Sequence, residues 1–492
     1  MRRLYLSLFL FFGFVAGYAN NIQVSNVTLT GQNTAANTYQ VQFDISWENS
    51  WRTSTFESNY DAAWVFVKYR IDPNTNWQHA TMNAAGFVAP GGATVDIAAD
   101  ATGAFIFRSG DGIGNVNFTG VELRWNYGGI PDDAILEICV QAIEMVYIPG
   151  GSFELGDDSP TPVGNFEAGV STNPFPITSE NGFTLGGNSV ANLNNNNGTG
   201  MGTQDDYNNF TTQTLPAAYP KGFNPYYIQK YEMSHAQYAA FLNKLTPAAA
   251  ANRFPGQNGN NNHTLTDSGA PPETYVTTTP DRAINYLSWA DVAAYADWTG
   301  LRPMTELEYE KASRGSRPST PDEYAWGNPF VYNVPYNIAN AGLANETIIN
   351  PGTGTGNAIY TETHPTPTGP RRCGILSASA GTASRQETGA TYYGVMEMSG
   401  NAWEITVTTG HPTGRAFNAN HGNGIIGVNS GNSTVVGWPA ISGGSFGLGI
   451  GLRGGGFSNQ ASDLRTSNRR LAAFPVTARF SDVSGRLVKS NF

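Results

Sequence analysis

The chain has few charged residues for its length. Charged side chains make up 13% of the 492 residues, so we expect a surface of uncharged polar loops more than of helices linked by ion pairs. The formal net charge is −11, and loss of Arg2 and Arg3 with a leader would take it to −13. This acidic balance disfavours nucleic acid and anionic membrane surfaces as partners. It fits cation or sugar binding better.

Cysteine is nearly absent, since Cys139 and Cys373 are the only two in the chain. They lie on opposite sides of the domain boundary that the pattern predicts. Two separate thiols are therefore the expectation. A disulfide between them is the alternative, which an exported location would permit.

Long apolar runs are also missing, because no stretch reaches the roughly 18 to 20 apolar residues of a membrane-spanning helix. The run from Leu4 to Val15 follows two arginines and precedes the small residues Gly17 and Ala19, which is the layout of a signal peptide over residues 1–19. We expect a mature chain that starts near Asn20 and is secreted or periplasmic, without a transmembrane segment. No cysteine follows the leader, so we expect no lipid anchor at that site.

Patterns of common catalytic sites are absent too. The six histidines show no His-x-x-x-His or His-Glu spacing, so a histidine metal centre would have to be assembled from distant parts of the chain. There is no Gly-x-Ser-x-Gly turn, and the glycine runs lack the lysine of a phosphate-binding loop. The sequence gives no positive support for a hydrolase.

In the N-terminal part of the sequence, apolar and polar residues alternate. Residues 20–142 contain stretches such as Val41–Trp47, Ala63–Tyr69 and Ala134–Val140, separated by turn residues, which predict an all-β sandwich. We expect an accessory or interaction module, with a stabilising spacer as the alternative. Its polar residues Asp61, Lys68 and His79 are expected to be solvated.

Residues 143–492 form the second predicted domain, which gives an α+β protein overall. Residues 157–222 lack periodicity and predict an irregular insertion that covers a binding face or forms a disordered surface loop. Three helices are predicted from their capping residues. They begin at Ser234 and Ser288 and after Thr305, and the last two end at Gly300 and Gly315. Beyond Asp322 the pattern predicts no long helix.

The stretch Tyr393–Ile405 reads Tyr-Gly-Val-Met-Glu-Met-Ser-Gly-Asn-Ala-Trp-Glu-Ile and fits neither strand nor helix periodicity. It predicts a rigid turn. Its Glu397 and Glu404, with the carbonyls of Gly400 and Ala402 between them, offer the oxygen ligands that calcium prefers. The alternative is a Gly-Asn turn that only buries Trp403.

Gly-Asn-Ala-Trp-Glu resembles the signature turn of the formylglycine-generating enzyme family, also called the sulfatase-modifying factor family. Four further segments occur in that family's order, and together the five span residues 145–488. They are Met145–Gly156, Tyr231–Leu242, Leu287–Trp298 with Leu301–Ala312, and Arg453–Phe457 with Leu464–Arg469. The resemblance implies a loop-rich C-type-lectin-like fold with bound calcium. It places Glu397, Gly400, Ala402 and Glu404 on one calcium site and Asn337 with Ile338 on a second.

Family enzymes oxidise a sulfatase cysteine to formylglycine with oxygen, using a cysteine pair just after the closing glycines. Asn459 and Leu464 stand at those positions here, and neither is a thiolate ligand or a redox partner. The family reaction is therefore not expected, nor is copper. In related scaffolds the late loops form a ligand face. The residues predicted to form one here are Trp438, Phe446, Phe457, Asn459, Gln460, Asp463, Arg465 and Asn468.

We therefore expect an exported, non-catalytic member of this family that binds an extracellular or periplasmic protein or glycan, or serves in surface display or assembly. Packing is the alternative role for each aromatic and arginine of the late loops. The alternative for the whole protein is an oxidoreductase of the parent type that uses other ligands.

Overall fold

A computed structural model describes residues 22–73, 76–257, 259–270, 274–442, 446–476 and 478–490, with only the backbone of Ser442 and Phe446. The predicted signal peptide, residues 1–19, lies outside the described residues. The described part is an α+β protein built from many strands and few helices. Within it, no helix has both the length and the apolar character that crossing a membrane requires.

The strands are long only in the N-terminal part. Up to residue 215 they are β1 Gln23–Asn33, β2 Thr38–Arg52, β3 Asp61–Ile71, β4 Gln78–His79, β5 Thr81–Met82, β6 Ala93–Ile97, β7 Ala104–Arg108, β8 Gly112–Asn126, β9 Leu136–Ile148, β10 Phe153–Leu155, β11 Glu167–Ala168, β12 Phe175–Ile177, β13 Phe183–Leu185, β14 Leu193–Asn194 and β15 Gln213–Leu215. The later strands are β16 Tyr226–Gln229, β17 Thr266–Asp267, β18 Tyr275–Val276, β19 Arg302–Pro303, β20 Ile338–Ala339, β21 Thr347–Ile348, β22 Trp403–Val407, β23 Ile441–Ser442, β24 Phe446–Gly447, β25 Ile450–Arg453, β26 Val483–Ser484 and β27 Leu487–Lys489.

The three predicted helices are confirmed with their caps. Ser234, Ser288 and Thr305 each accept a hydrogen bond from the third helical N–H, and the side chain of that third residue reaches back to the cap. The described residues beyond Asp322 contain only short helices, as expected. The helices are α1 His235–Leu242, α2 Pro247–Arg253, α3 Trp289–Thr299, α4 Glu306–Arg314, α5 Ile375–Ser379, α6 Arg385–Thr388 and α7 Pro412–Arg415, and Asn196–Gly198 and Ala461–Leu464 are 3₁₀ turns.

The N-terminal part has two facing sheets. One sheet has the strand order β1-β2-β8-β5. Its inward residues, including Val41, Phe43 and Trp47, pack against Val65 and Ile106 of the other sheet in one apolar cluster. Alternation along β2 places apolar side chains inward and polar ones outward, as a half-buried antiparallel strand requires.

The second sheet joins the two predicted domains. Its order is β19-β27-β16-β9-β3-β7-β6, with β4 paired to β3. Strand β9 pairs with β3 from Leu136 to Val146 and with β16 at its C-terminal end. The boundary predicted at 142/143 falls inside β9, so one continuous sheet crosses it.

Three polar residues at this junction have partners inside the protein, contrary to the prediction from the sequence. Asp61, Lys68 and His79 were expected to be solvated, and this is wrong for all three. Asp61 is fully buried and accepts hydrogen bonds from Trp47 and Ser50. Lys68 is 1% exposed and donates to the carbonyls of Trp298 and Gly424, at 2.7 and 2.9 Å. The Nε2 atom of His79 lies 2.6 Å from the carbonyl oxygen of Thr102. Polar side chains are buried where main-chain or side-chain partners satisfy them.

The insertion at residues 157–222 is ordered and packed. It forms a small sheet with the order β11-β14-β13-β15, and its Phe166, Leu185 and Tyr207 are fully buried in the main core. Asp205 forms a fully buried ion pair with Arg469 at 2.8 Å. Of the two alternatives from the sequence, the disordered surface loop does not apply.

Candidate functional site

The turn before β22 adopts a backbone that few residue types tolerate. Glu397, Gly400 and Asn401 have φ values of +56°, +93° and +65°. A Cβ at Gly400 would lie 2.6 Å from the carbonyl oxygen of Ile359, so only glycine fits there. Trp403 is 2% exposed and belongs to the main core. The predicted rigid turn is present, and it begins on a strained, non-glycine residue.

Hydrogen bonds join this turn to residues 453–470, the closing segment. The hydroxyl of Ser399 donates to the carbonyl of Leu464 at 2.8 Å. The N–H of Gly400 donates to the carbonyl of Gly454 at 2.8 Å, and Phe457 N–H donates to the carbonyl of Asn401 at 3.0 Å. The turn is therefore joined to the loop between Gly454 and Leu464.

A cluster of buried charges lies behind the turn. Arg486, fully buried, donates from Nε to Oε1 of Glu404 at 2.8 Å and from its Nη atoms to the carbonyls of Gln229 and Met396. Glu397 Oε1 accepts the N–H of Gly374 at 2.8 Å, and Glu232 Oε1 accepts from the side chain of Asn401 at 3.0 Å. Oε2 of each of these three glutamates is buried without a hydrogen bond.

Burial dominates the electrostatics of this cluster. It raises the pKa of Glu397 to about 7, although Arg486 acts in the opposite direction. It also raises the pKa of Glu404 and, well above its usual value, that of Glu232, which Glu397 further increases. Three carboxylates and one guanidinium would carry a net charge of −2 if all were ionised. Protons or a divalent cation could offset that charge.

The turn supplies the type of ligand that calcium takes. Glu397 and Glu404 each present an unpartnered buried oxygen, which fits an oxygen-only shell. The described residues contain no group of three or more His, Cys, Asp or Glu side chains placed to hold a metal. A cation here would therefore also need backbone oxygens. The sequence prediction takes these from the carbonyls of Gly400 and Ala402.

The second predicted calcium position is less buried than the first. Asn337 is exposed, and its carbonyl already accepts the N–H of Ile349 at 2.8 Å. Ile338 pairs with Ile348 in the β20–β21 hairpin. These residues form part of a surface hairpin, with less burial than the turn at Glu397.

Asn459 and Leu464, which the resemblance places at the positions of the family cysteine pair, both serve the fold. Leu464 is fully buried against Tyr324, Trp326 and Tyr360. Asn459 Oδ1 accepts the N–H of Gly456 at 2.9 Å, and its carbonyl accepts the N–H of Thr361. Leu464 therefore makes an apolar contact and Asn459 a loop hydrogen bond.

Neither cysteine of the chain substitutes for that pair. Both are free thiols, and Cys373 is fully buried. Burial raises the pKa of Cys373 well above its usual value, and the neighbouring Glu232 raises it further. Cys139 lies on β9, far along the chain, next to the amide of Gln141.

A depression of about 510 Å³ lies beside Asn459. The closing segment supplies Ser458, Asn459, Gln460, Ser462, Asp463 and Arg470, and the insertion supplies Val163 and Gly200. Arg470 and Asp463 form an ion pair at 3.0 Å, and half of the Arg470 side chain is exposed. The lining given by the described residues offers hydroxyl, amide and charged groups, and it contains no thiol.

The other predicted ligand residues are not among the described residues that line this depression. Asn468 is buried and donates to the carbonyl of Ser462 at 2.8 Å, so it holds the lining loop. Arg465 pairs with Asp322 at 2.8 Å. Trp438 and Phe457 are 9% and 3% exposed and pack in apolar clusters. The side chain of Phe446 lies outside the described part of the chain.

Sequence reasoning missed the contribution of the insertion and of Arg470. Arg469 N–H donates to the carbonyl of Val163, and Gly202 N–H donates to that of Arg470. These bonds lay the insertion against the closing segment. No local signal in residues 157–222 announces this contact.

Comparison with known proteins agrees with the signature turn. A family model described as the sulfatase-modifying factor enzyme 1-like domain matches residues 135–490. A formylglycine-generating enzyme from Thermomonospora curvata is 24% identical over 215 residues, which cover 37% of this chain and 59% of that protein. The chain thus spans about three fifths of the length of that relative. A second formylglycine-generating enzyme, from Streptomyces coelicolor, is 39% identical over 56 residues, or 11% of this chain and 17% of that one.

Among solved structures, Treponema denticola variable protein 1 aligns over 71% of this chain and 95% of its own, with 14% identity and a TM-score of 0.33. The family model covers well over half of the chain, and its range includes the capped helices, the strained turn and the closing glycine segment. The chain therefore belongs to the family of sulfatase-modifying factor enzyme 1-like domains.

Proposed function

We propose that this chain is an exported, non-catalytic member of its family that binds a polar ligand in the depression beside Asn459. The strongest support is that Asn459 and the fully buried Leu464, neither of them a thiol, stand where the resemblance places the family's cysteine pair. A thiolate is the metal ligand and redox group of the family reaction, and an amide and an alkyl chain cannot replace it.

The lining supports a ligand rich in hydrogen-bonding groups. Ser458, Gln460 and Ser462 offer hydroxyl and amide groups, and the Asp463–Arg470 pair adds one charge of each sign. A glycan or a polar protein loop presents groups of this kind. Since Trp438 and Phe457 pack inside the fold, recognition relies on hydrogen bonds more than on aromatic stacking.

The catalytic alternative is tested directly. The purified protein is incubated under oxygen with a cysteine-containing sulfatase peptide, and formylglycine is measured by mass spectrometry, with a cysteine-pair family enzyme as positive control. We expect no product, with or without added copper. Product that depends on oxygen would overturn the non-catalytic proposal and support an oxidoreductase with other ligands.

Ligand binding is tested with defined libraries. The protein is screened on a glycan array and a peptide array, and each hit is measured by calorimetry with the wild type and with Gln460→Ala. Arg317→Gln is a matched surface control, because Arg317 is exposed and lies outside the depression. We expect Gln460→Ala to weaken binding about tenfold and the control to leave it unchanged. Equal affinity of all three proteins would place the ligand elsewhere.

We propose calcium as a structural ion at the turn. Glu397 and Glu404 would hold it through their unpartnered oxygens, and it would offset the negative charge there. Calcium should raise the melting temperature at pH 8 and EDTA should lower it. Glu397→Gln, which keeps an acceptor for Gly374 N–H, should abolish both shifts. A melt insensitive to calcium and EDTA, with no calcium by elemental analysis, would remove the ion from the proposal.

Export and assembly are tested by separate experiments. N-terminal sequencing of protein recovered outside the cytoplasm should begin near Asn20 if residues 1–19 are a signal peptide. A full-length N-terminus on cytoplasmic protein would contradict export. Stable large particles on size-exclusion chromatography would favour the display or assembly role over simple ligand binding.

A further inference from the structure

A second depression, of about 240 Å³, lies on the outer face of the N-terminal sheet, far along the chain from the closing segment. Strand β2 contributes Thr38 and Gln40, and β8 contributes Arg124 and Asn126. Gln40 pairs with Arg124 and Thr38 pairs with Asn126 across the two strands. Because alternate residues share a face, these four side chains point to the side opposite the apolar interior.

Arg124 has no partner for its charge. Its guanidinium makes no ion pair and no hydrogen bond with the residues that the structure describes, and no acidic residue lines the depression. Several other arginines, including Arg302, Arg453 and Arg469, are paired with carboxylates. In a chain with 38 acidic and 27 basic residues, an arginine left without an acidic partner is available to a ligand.

The neighbouring main chain holds Arg124 in place. The amide of Gln40 donates to the carbonyl of Gly86 at 2.7 Å, and Asn83 N–H donates to the carbonyl of Arg124 at 2.7 Å. A Cβ at Gly86, whose φ is +82°, would lie 1.9 Å from Cζ of Arg124, so the guanidinium packs directly on this glycine. The guanidinium therefore rests on Gly86, and its N–H groups keep their hydrogen-bonding capacity.

The remaining polar groups complement an oxyanion that also carries hydroxyl groups. Gln40 Oε1 is a buried acceptor without a hydrogen bond, and its orientation is set because Nε2 donates to Gly86. Asn126 Oδ1 accepts from Asn83 Nδ2, which leaves the Asn126 amide N–H groups as donors. One side of the depression thus offers donors to a carboxylate, and the other offers an acceptor to a hydroxyl.

We propose that this depression, whose lining includes Gln40, Asn83, Arg124 and Asn126, binds a uronic acid residue of an acidic glycan. The sugar carboxylate would take charge-assisted hydrogen bonds from Arg124, and a ring hydroxyl would donate to Gln40 Oε1. This site is separate from the depression beside Asn459, so either can fail without the other.

The test uses the full mature chain and calorimetric titration with a galacturonic acid trimer. A neutral galactose trimer and inorganic phosphate serve as comparison ligands. We expect binding of the acidic trimer only, weakened about tenfold or more in Arg124→Gln and unchanged in Arg317→Gln. Gly86→Ala should also weaken binding, because the new methyl group displaces the guanidinium.

Three results would overturn the proposal. The first is no binding of the acidic trimer. The second is equal binding by Arg124→Gln, and the third is equal binding of phosphate, which would reduce the site to a general anion contact. A melting temperature of Arg124→Gln near that of the wild type shows that any loss of binding is not a loss of folding.

Discussion

Arg486 donates a hydrogen bond from Nε to Oε1 of Glu404 at 2.8 Å, with both side chains buried. Arg486 forms an ion pair with Glu404 of the signature turn, and it also donates to the carbonyls of Gln229 and Met396. The link between β26 and β27, the turn and β16 are therefore joined through one guanidinium.

Replacing Arg486 by methionine should lower the free energy of unfolding by about 3–5 kcal/mol, because it leaves buried carboxylates without their cation. Urea denaturation measures this. Arg470→Gln is the matched control, since half of the Arg470 side chain is exposed and its ion pair should contribute about 1 kcal/mol or less. Similar losses of unfolding free energy in both variants would contradict the idea that the buried ion pair contributes more than the exposed one.

Stability should fall between about pH 4.5 and 7 because of Glu144. Burial raises its pKa to about 7 from a usual 4.5, although Lys230 acts in the opposite direction. The folded protein thus binds this proton more tightly than the unfolded chain, so its contribution is complete below pH 4.5 and is lost as pH rises towards 7. We expect roughly 1–3 kcal/mol of such loss in the wild type and less in Glu144→Gln. Denaturation at several pH values checks the difference, and equal slopes would contradict it.

The two thiols should differ in reactivity. Cys139 is half-buried, whereas Cys373 is fully buried with a pKa raised by burial and by Glu232. A thiol reagent should modify Cys139 in the native protein and both cysteines only after unfolding. Cys139→Ser should remove the native signal. A disulfide in the purified protein, with no free thiol after unfolding, would contradict the structure.

A fragment of residues 143–492 should not fold by itself. It would lose half of β9 and all of β3, and Trp64 and Phe105 would leave the main core. We expect no cooperative thermal transition for the fragment and a single transition for residues 20–492, measured by circular dichroism. A cooperative melt of the fragment near that of the full chain would support two independent domains.

The sequence was informative where the signal is local. Capping residues placed α1, α3 and α4, alternation placed β2 and β3, and the order of five short motifs identified the family. The absence of cysteine after Gly456 was also readable, because it needs only the sequence itself. Local rules hold here because each depends on residues within one turn or one strand.

Lys68 shows where sequence reasoning was insufficient. A lysine in an alternating strand is expected to face water, but here it reaches the carbonyls of Trp298 and Gly424, which are distant in sequence. The same applies to the late loops, where Gln460 lines the depression and Trp438 packs inside the fold. Such choices depend on what lies opposite each side chain.

The sequence alone determined the strand and helix types, the caps, the signature turn and the absence of a thiol pair. The tertiary structure decided that one sheet crosses the predicted domain boundary, and that the insertion is held in place by the pair of Asp205 and Arg469. It also decided which polar groups stay available for ligands. These features arise from contacts between segments far apart in the chain, where burial and charge pairing overrule local preference.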